Sequence, residues 1–178
     1  PWDVMYWAER LKEERFGLRD ELIRPYFPLP AILQGLFDLI GDLFDVRIAS
    51  KTEVPTWQPD VTYYQVMDAS SLEIAGFYLD PYARPEEKRG GAWMDELCGR
   101  STVCAPTGQD SRMPVAYVNC NQRPALDDAP SLMSFQEVTT LFHEFGHALQ
   151  HMLTTVRHGF VAGISNIEWD AVELPSQF

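Results

Sequence analysis

Nowhere in this chain of 178 residues does an apolar run approach the ~20 residues that a bilayer-crossing helix needs. Its opening, Pro1-Trp2-Asp3, has neither the basic nor the apolar region of a secretory signal. No membrane partner is expected, and with an odd count of three cysteines a reducing compartment inside the cell, cytoplasmic or organellar and not secreted, is the expectation. Basic residues are scarce, 14 against 26 acidic ones, for a net charge of −12. Nucleic acid and anionic surfaces demand a positive face, so no nucleic-acid partner is expected. The lone triplet Arg89-Gly90-Gly91 then reads as a solvated loop. Cysteine is scarce as well: Cys98, Cys104 and Cys120 are odd in number and share no C-x-x-C spacing. That excludes a disulfide framework and a thiolate metal site, leaving each cysteine as a small packed side chain.

What is present suits a globular core, with 46% hydrophobic and 22% charged residues. Residues 1–45 read as helical. A first helix is expected over 2–15, and the proline-spaced Pro25-Tyr26-Phe27-Pro28-Leu29-Pro30 breaks it. A second follows over 31–44, where Ile32, Leu33, Leu36, Phe37, Ile40 and Leu43 recur at helical spacing. Residues 46–120 read as β-rich, with strands at 46–48, 61–67, 72–79 and 113–119. The middle two form a hairpin, 81–91 is a charged loop, and 121–134 is a connector rich in Pro and Asp. Residues 134–178 return to helix. Ser134-Phe135-Gln136-Glu137 is a capping box, and Val138, Leu141, Phe142, Phe145, Ala148, Leu149 and Met152 form an apolar stripe after it. A second box, Ser165-Asn166-Ile167-Glu168, predicts a further helix. The expected class is α+β, mostly helical, with a small sheet in the middle of the chain and no internal repeat.

Inside the capped helix lies His143-Glu144-Phe145-Gly146-His147. An H-E-x-x-H pattern arises by chance in roughly one shuffled sequence of this composition in 200, so its setting decides its meaning. Two histidines four apart share one helix face and can reach one Zn²⁺ at about 2.0–2.1 Å. Glu144, one residue round, lies beside such a metal, placed to take a proton from its water. A third ligand is required. A metzincin would carry glycine at 150 and histidine at 153, but Gln150 and Leu153 stand there. His151 lies about 12 Å along the axis from His143, too far for three histidines to share one ion. It is expected to pack or to support the site from behind, and His158 is a weak candidate beyond the helix. Glu168 is occupied by its capping box. Asp170 and Glu173, three apart, share a face, and spacing alone leaves open which ligates and which orients a histidine ring.

The run Phe142-His143-Glu144-Phe145-Gly146-His147-Ala148-Leu149-Gln150-His151, then Trp169-Asp170-Ala171-Val172-Glu173-Leu174-Pro175-Ser176-Gln177, resembles the thimet oligopeptidase family, nearest to its oligopeptidase A branch and plant organellar relatives. The likeness extends through Phe77-Tyr78-Leu79-Asp80-Pro81-Tyr82-Ala83-Arg84, Lys88-Arg89-Gly90-Gly91-Ala92-Trp93 and Arg24-Pro25-Tyr26-Phe27, covering essentially the whole chain. The resemblance implies that Glu173 is the third ligand of a single zinc ion, with Asp170 behind it. It implies a zincin-like core, residues 1–178 being part of a larger catalytic domain, and cleavage of short peptides. Family members carry a downstream tyrosine- and histidine-bearing segment that stabilises the oxyanion. Every tyrosine of this chain lies at or before Tyr117, so a second reading is a metal-binding or interaction fragment without turnover. Residues 113–119 are read either as an edge strand to which a peptide could add or as a sheet strand buried on both edges.

Overall fold

The computed structural model describes residues 2–17, 19–125 and 130–177; the 126–129 part of the expected connector lies outside them. The described residues form a mixed α/β arrangement of five strands and four α-helices. Helix α1 (Val4–Phe16) ends at Gly17, whose left-handed φ of 63° closes it with a bond to the Glu13 carbonyl. The short α2 (Asp20–Ile23) runs into a 3₁₀ turn, Arg24–Tyr26. Helix α3 (Leu29–Phe44) starts two residues before the expected 31, taking Pro30 into its first turn where no N–H is needed.

Strands β1 (Arg47–Ser50), β2 (Thr62–Met67), β3 (Glu73–Tyr82), β4 (Trp93–Cys98) and β5 (Val115–Gln122) make one sheet in the order β1-β2-β3-β5-β4. The β2–β3 hairpin is antiparallel, as its sequence suggests, whereas β3 and β5 run parallel. Of the two readings of 113–119, the edge strand is the one the pairing overturns. Strand β5 lies between β3 and β4 and is paired on both sides. The strand the sequence concealed is β4, whose central residues Asp95, Glu96 and Leu97 are exposed. It leaves one edge of the sheet open. Helix α4 (Phe135–Met152) packs on β5 and β4. None of the described helices is long and apolar enough to cross a membrane.

The expected helix from Ser165 is also corrected. Asn166 has a left-handed φ of 55°, and Pro175 disfavours helical geometry at the residue before it. The residues between form successive turns closed by a 3₁₀ turn, Pro175–Gln177. Ser165 Oγ donates instead to Glu96 Oε2 at 3.0 Å.

The core closes where α3, β3 and α4 each contribute one ring. Phe77 meets Phe145 edge-on at 5.2 Å, and Phe37 lies 6.1 Å from both. At the far end of β3 the polar Asp80 is almost fully buried. Arg84 grips its carboxylate with two bonds of 2.9 and 2.6 Å, Lys88 Nζ approaches to 2.9 Å, and Trp57 donates at 3.2 Å. Lys88 also donates to the carbonyls of Asp80, Tyr82 and Cys120, fastening the 83–91 loop across β3 and β5. Burial alone would raise the Asp80 carboxyl, but the bonds from Arg84 and Lys88 outweigh it and hold the carboxyl below its ordinary value. A depressed carboxyl stabilises the fold above its unfolded value, about 3.9, and loses that contribution as pH falls through the lower folded value. Asp80→Asn should therefore cost about 3–5 kcal/mol at neutral pH, the scale of breaking a buried ion pair. In urea unfolding, the gap from wild type should narrow as the pH is lowered below about 4.

Candidate metal centre

Helix α4 has a defined start and a defined rotation. Its start is the predicted capping box: Glu137 N–H donates to Ser134 Oγ at 3.2 Å, and Ser134 N–H donates to Glu137 Oε2 at 2.6 Å. Arg24 reaches the same carboxylate at 3.4 Å. Its rotation follows from the buried face Leu141, Phe145, Ala148, Leu149 and Met152. With those turned to the sheet, His143 and His147 emerge on the other side, their rings 5.0 Å apart and edge-to-face.

Glu173 completes a triangle. Its Oε2 lies 3.3 Å from His143 Nε2 and 3.2 Å from His147 Nε2. One ligand atom from each residue falls within 4.8 Å of the others, a group that could hold a metal ion. Of the two carboxylates that spacing left open, Glu173 is the one at the histidines. Asp170 is exposed and makes no hydrogen bond to either ring among the described residues.

Two residues that sequence reasoning passed over bring Glu173 there. Ser176, buried, has its Oγ 2.7 Å from Glu173 Oε2 and 2.9 Å from the Glu173 carbonyl, and its hydroxyl donates to these oxygens. That hydroxyl, with the charges of His147 and His143, holds the Glu173 carboxyl below its usual range. Gly146 allows the approach. A Cβ there would overlap the Pro175 carbonyl oxygen and lie 2.6 Å from Ser176 Cα, so no larger residue fits between the helix and the returning segment. A glycine inside a strongly periodic helix was the available signal.

Glu144 lies one step round from the histidines, half-buried, with no hydrogen bond among the described residues. His151 is fully buried but stands away from the triangle. Its Nε2 donates to the Cys98 carbonyl at 3.1 Å, and its Nδ1 is 3.6 Å from Glu96 Oε2. Gly163 packs so closely that a Cβ would come 2.8 Å from Nδ1. His151 therefore joins the end of α4 to the end of β4 and to the segment returning towards Glu173. His158 is exposed at the rim of a separate cavity. The three cysteines are free, and burial pushes the Cys120 thiol up to about 12, which suits a packed side chain and not a nucleophile.

Residues 1–178 match the family described as "Peptidase family M3". The chain is 57% identical over 178 residues to the organellar oligopeptidase A, chloroplastic/mitochondrial, of Arabidopsis thaliana, covering 99% of this chain and 22% of that one. It is 43% identical over 178 residues to oligopeptidase A of Escherichia coli (strain K12), covering 100% of this chain and 26% of the relative. A dipeptidyl carboxypeptidase of the same organism is 36% identical over 179 residues, covering 99% and 25%. The chain thus spans about a quarter of the length of these relatives. A match along its full length, carried through the helix that presents both histidines and the segment that presents Glu173, places this chain in peptidase family M3.

Proposed function

We propose that this chain provides the zinc-binding part of a metalloendopeptidase that hydrolyses short peptides. The observation that carries the reading is the spacing of the triangle. Donors about 2.0–2.1 Å from one zinc ion at tetrahedral angles stand about 3.3–3.4 Å apart. Glu173 Oε2 is 3.3 and 3.2 Å from the two Nε2 atoms, so His143, His147 and Glu173 would hold one ion. Two imidazoles and a carboxylate are a donor set suited to zinc. Bound there, zinc would lower the pKa of a water molecule to about 7 and polarise the scissile carbonyl.

The remaining steps fall to the chain's own groups. Glu144, free of hydrogen bonds among the described residues, accepts the proton of the attacking water and passes it to the leaving amine. Ser176 holds the Glu173 carboxylate against the histidines. The open edge of β4, beside α4, offers its backbone to an extended peptide, the part first assigned to residues 113–119. An intracellular site, cytosolic or organellar, accords with relatives named for the chloroplast and mitochondrion and for the cytosol.

Two variants test the assignment. Glu144→Gln should lower kcat on a quenched peptide by about 10²–10⁴ with one zinc per chain retained, as measured by elemental analysis; undiminished turnover would refute the proton-transfer role. Ser176→Ala should weaken zinc binding by about 10–100-fold in a chelator competition and leave the zinc-saturated kcat far less changed.

A further inference from the structure

Of the 14 basic side chains, seven have a carboxylate within 4 Å among the described residues. Arg84 and Lys88, for example, share Asp80. Three arginines with no carboxylate within 4 Å among the described residues gather in one place. Arg112 and Arg157, joined by His158, line a cavity of about 760 Å³. Arg100 is outside the lining, its guanidinium donating to the Ile74 carbonyl at 3.2 Å and to Ser111 Oγ at 3.4 Å, and burial and then the charge of Arg157 hold it below its usual value. Arg112 and Arg157 bring like charge to one cavity with no carboxylate partner among the described residues, an arrangement that suits a site for an anion.

The frame around the two lining arginines is fixed. Arg112 N–H donates to the Ser101 carbonyl at 2.8 Å, its Nε donates to the Gly99 carbonyl at 3.0 Å, and Thr102 N–H donates to the Arg157 carbonyl at 3.1 Å. Glu96, the one carboxylate lining the cavity, is taken up by Ser165. The terminal nitrogens of Arg112 and the guanidinium of Arg157 make no hydrogen bond among the described residues.

The position of the cavity relates it to the metal triangle. Strand β4 runs alongside α4 in the same direction. Ala92, immediately before it, shares a small cavity with Ser134 and Glu137 at the helix N-terminus, and its end at Cys98 bonds His151. His151 is one turn beyond His147, about 6 Å along the axis, which an extended peptide crosses in about two residues. A peptide added antiparallel to β4 directs its amino-terminal side to the Cys98 end, where Glu96 and Gly99 form the cavity wall.

We propose that this cavity is a specificity subsite for an acidic side chain, Asp or Glu, two or three residues on the amino side of the scissile bond. The proposal rests on the peptidase reading above. Its test uses the zinc-loaded full-length protein and quenched peptides that differ by Glu, Gln or Lys at that position. The expected kcat/KM for Glu exceeds that for Gln by about five- to tenfold, with Lys lower still, and the ratio shrinks as salt is raised. Arg157→Glu, at an exposed position, should reverse the preference towards Lys while the Gln peptide is cleaved within about threefold of wild type and zinc content stays at one per chain. Arg157→Lys should retain the preference for Glu in weaker form. Equal rates for the three peptides in wild type, or a preference unmoved by Arg157→Glu, would overturn the subsite and leave the peptidase reading intact. Failure of the zinc-loaded protein to cleave any of the peptides would instead count against the peptidase reading and take the subsite with it.

Discussion

Everything at the metal triangle depends on how α4 is rotated, and that rotation is set by burial of its apolar face against the sheet. Phe145 occupies the centre of the histidine motif yet points away from the histidines, into contact with Phe77 and Phe37. A helix turns by 100° per residue, so seating Phe145 in the core turns residues 143 and 147 outward together. The chemical pattern and the packing pattern are therefore the same stretch of sequence read on opposite faces. Removing the Phe145 ring would forfeit contacts on the scale of about 3–5 kcal/mol and would also release the angular setting of both histidines.

Glu173, proposed here as the third ligand, lies in a segment without regular structure and is positioned by close approach. Gly146 has no side chain, so Pro175 and Ser176 lie against the helix within the motif itself. Ser176 then fixes the carboxylate of Glu173. At the other end of the same segment, Gly163 lies against His151, and Ser165 bonds Glu96. The return path from α4 to Glu173 is thus held at both ends by contacts with α4 and the outermost strand, and helical hydrogen bonding is not needed to place the ligand.

Much of this was legible in the sequence where the determinants are local. The capping box at Ser134, the apolar stripe of α4, the β2–β3 hairpin and the two histidines follow from spacing over a few residues. Glu173 became distinguishable from Asp170 through family resemblance, since two carboxylates three apart present the same pattern. What eluded the sequence depends on distant partners. Strand β4 carries adjacent acids and no alternation, and it is a strand because β5 pairs with it. The Ser165 box imitates a helix start, but the serine hydroxyl is taken by Glu96, 69 residues earlier in the chain. The interior place of β5 rests on a parallel pairing with β3, which no local pattern encodes.

The central claim is that two imidazoles and the Glu173 carboxylate hold one zinc ion. X-ray absorption at the zinc edge tests it most directly on the metal-loaded protein. The account predicts only nitrogen and oxygen neighbours at about 2.0–2.1 Å, with outer-shell scattering from two imidazole rings and one light neighbour lost on Glu173→Ala. A sulfur neighbour at about 2.3 Å, which would bring in Cys98, Cys104 or Cys120, or a spectrum unchanged by Glu173→Ala, would contradict it.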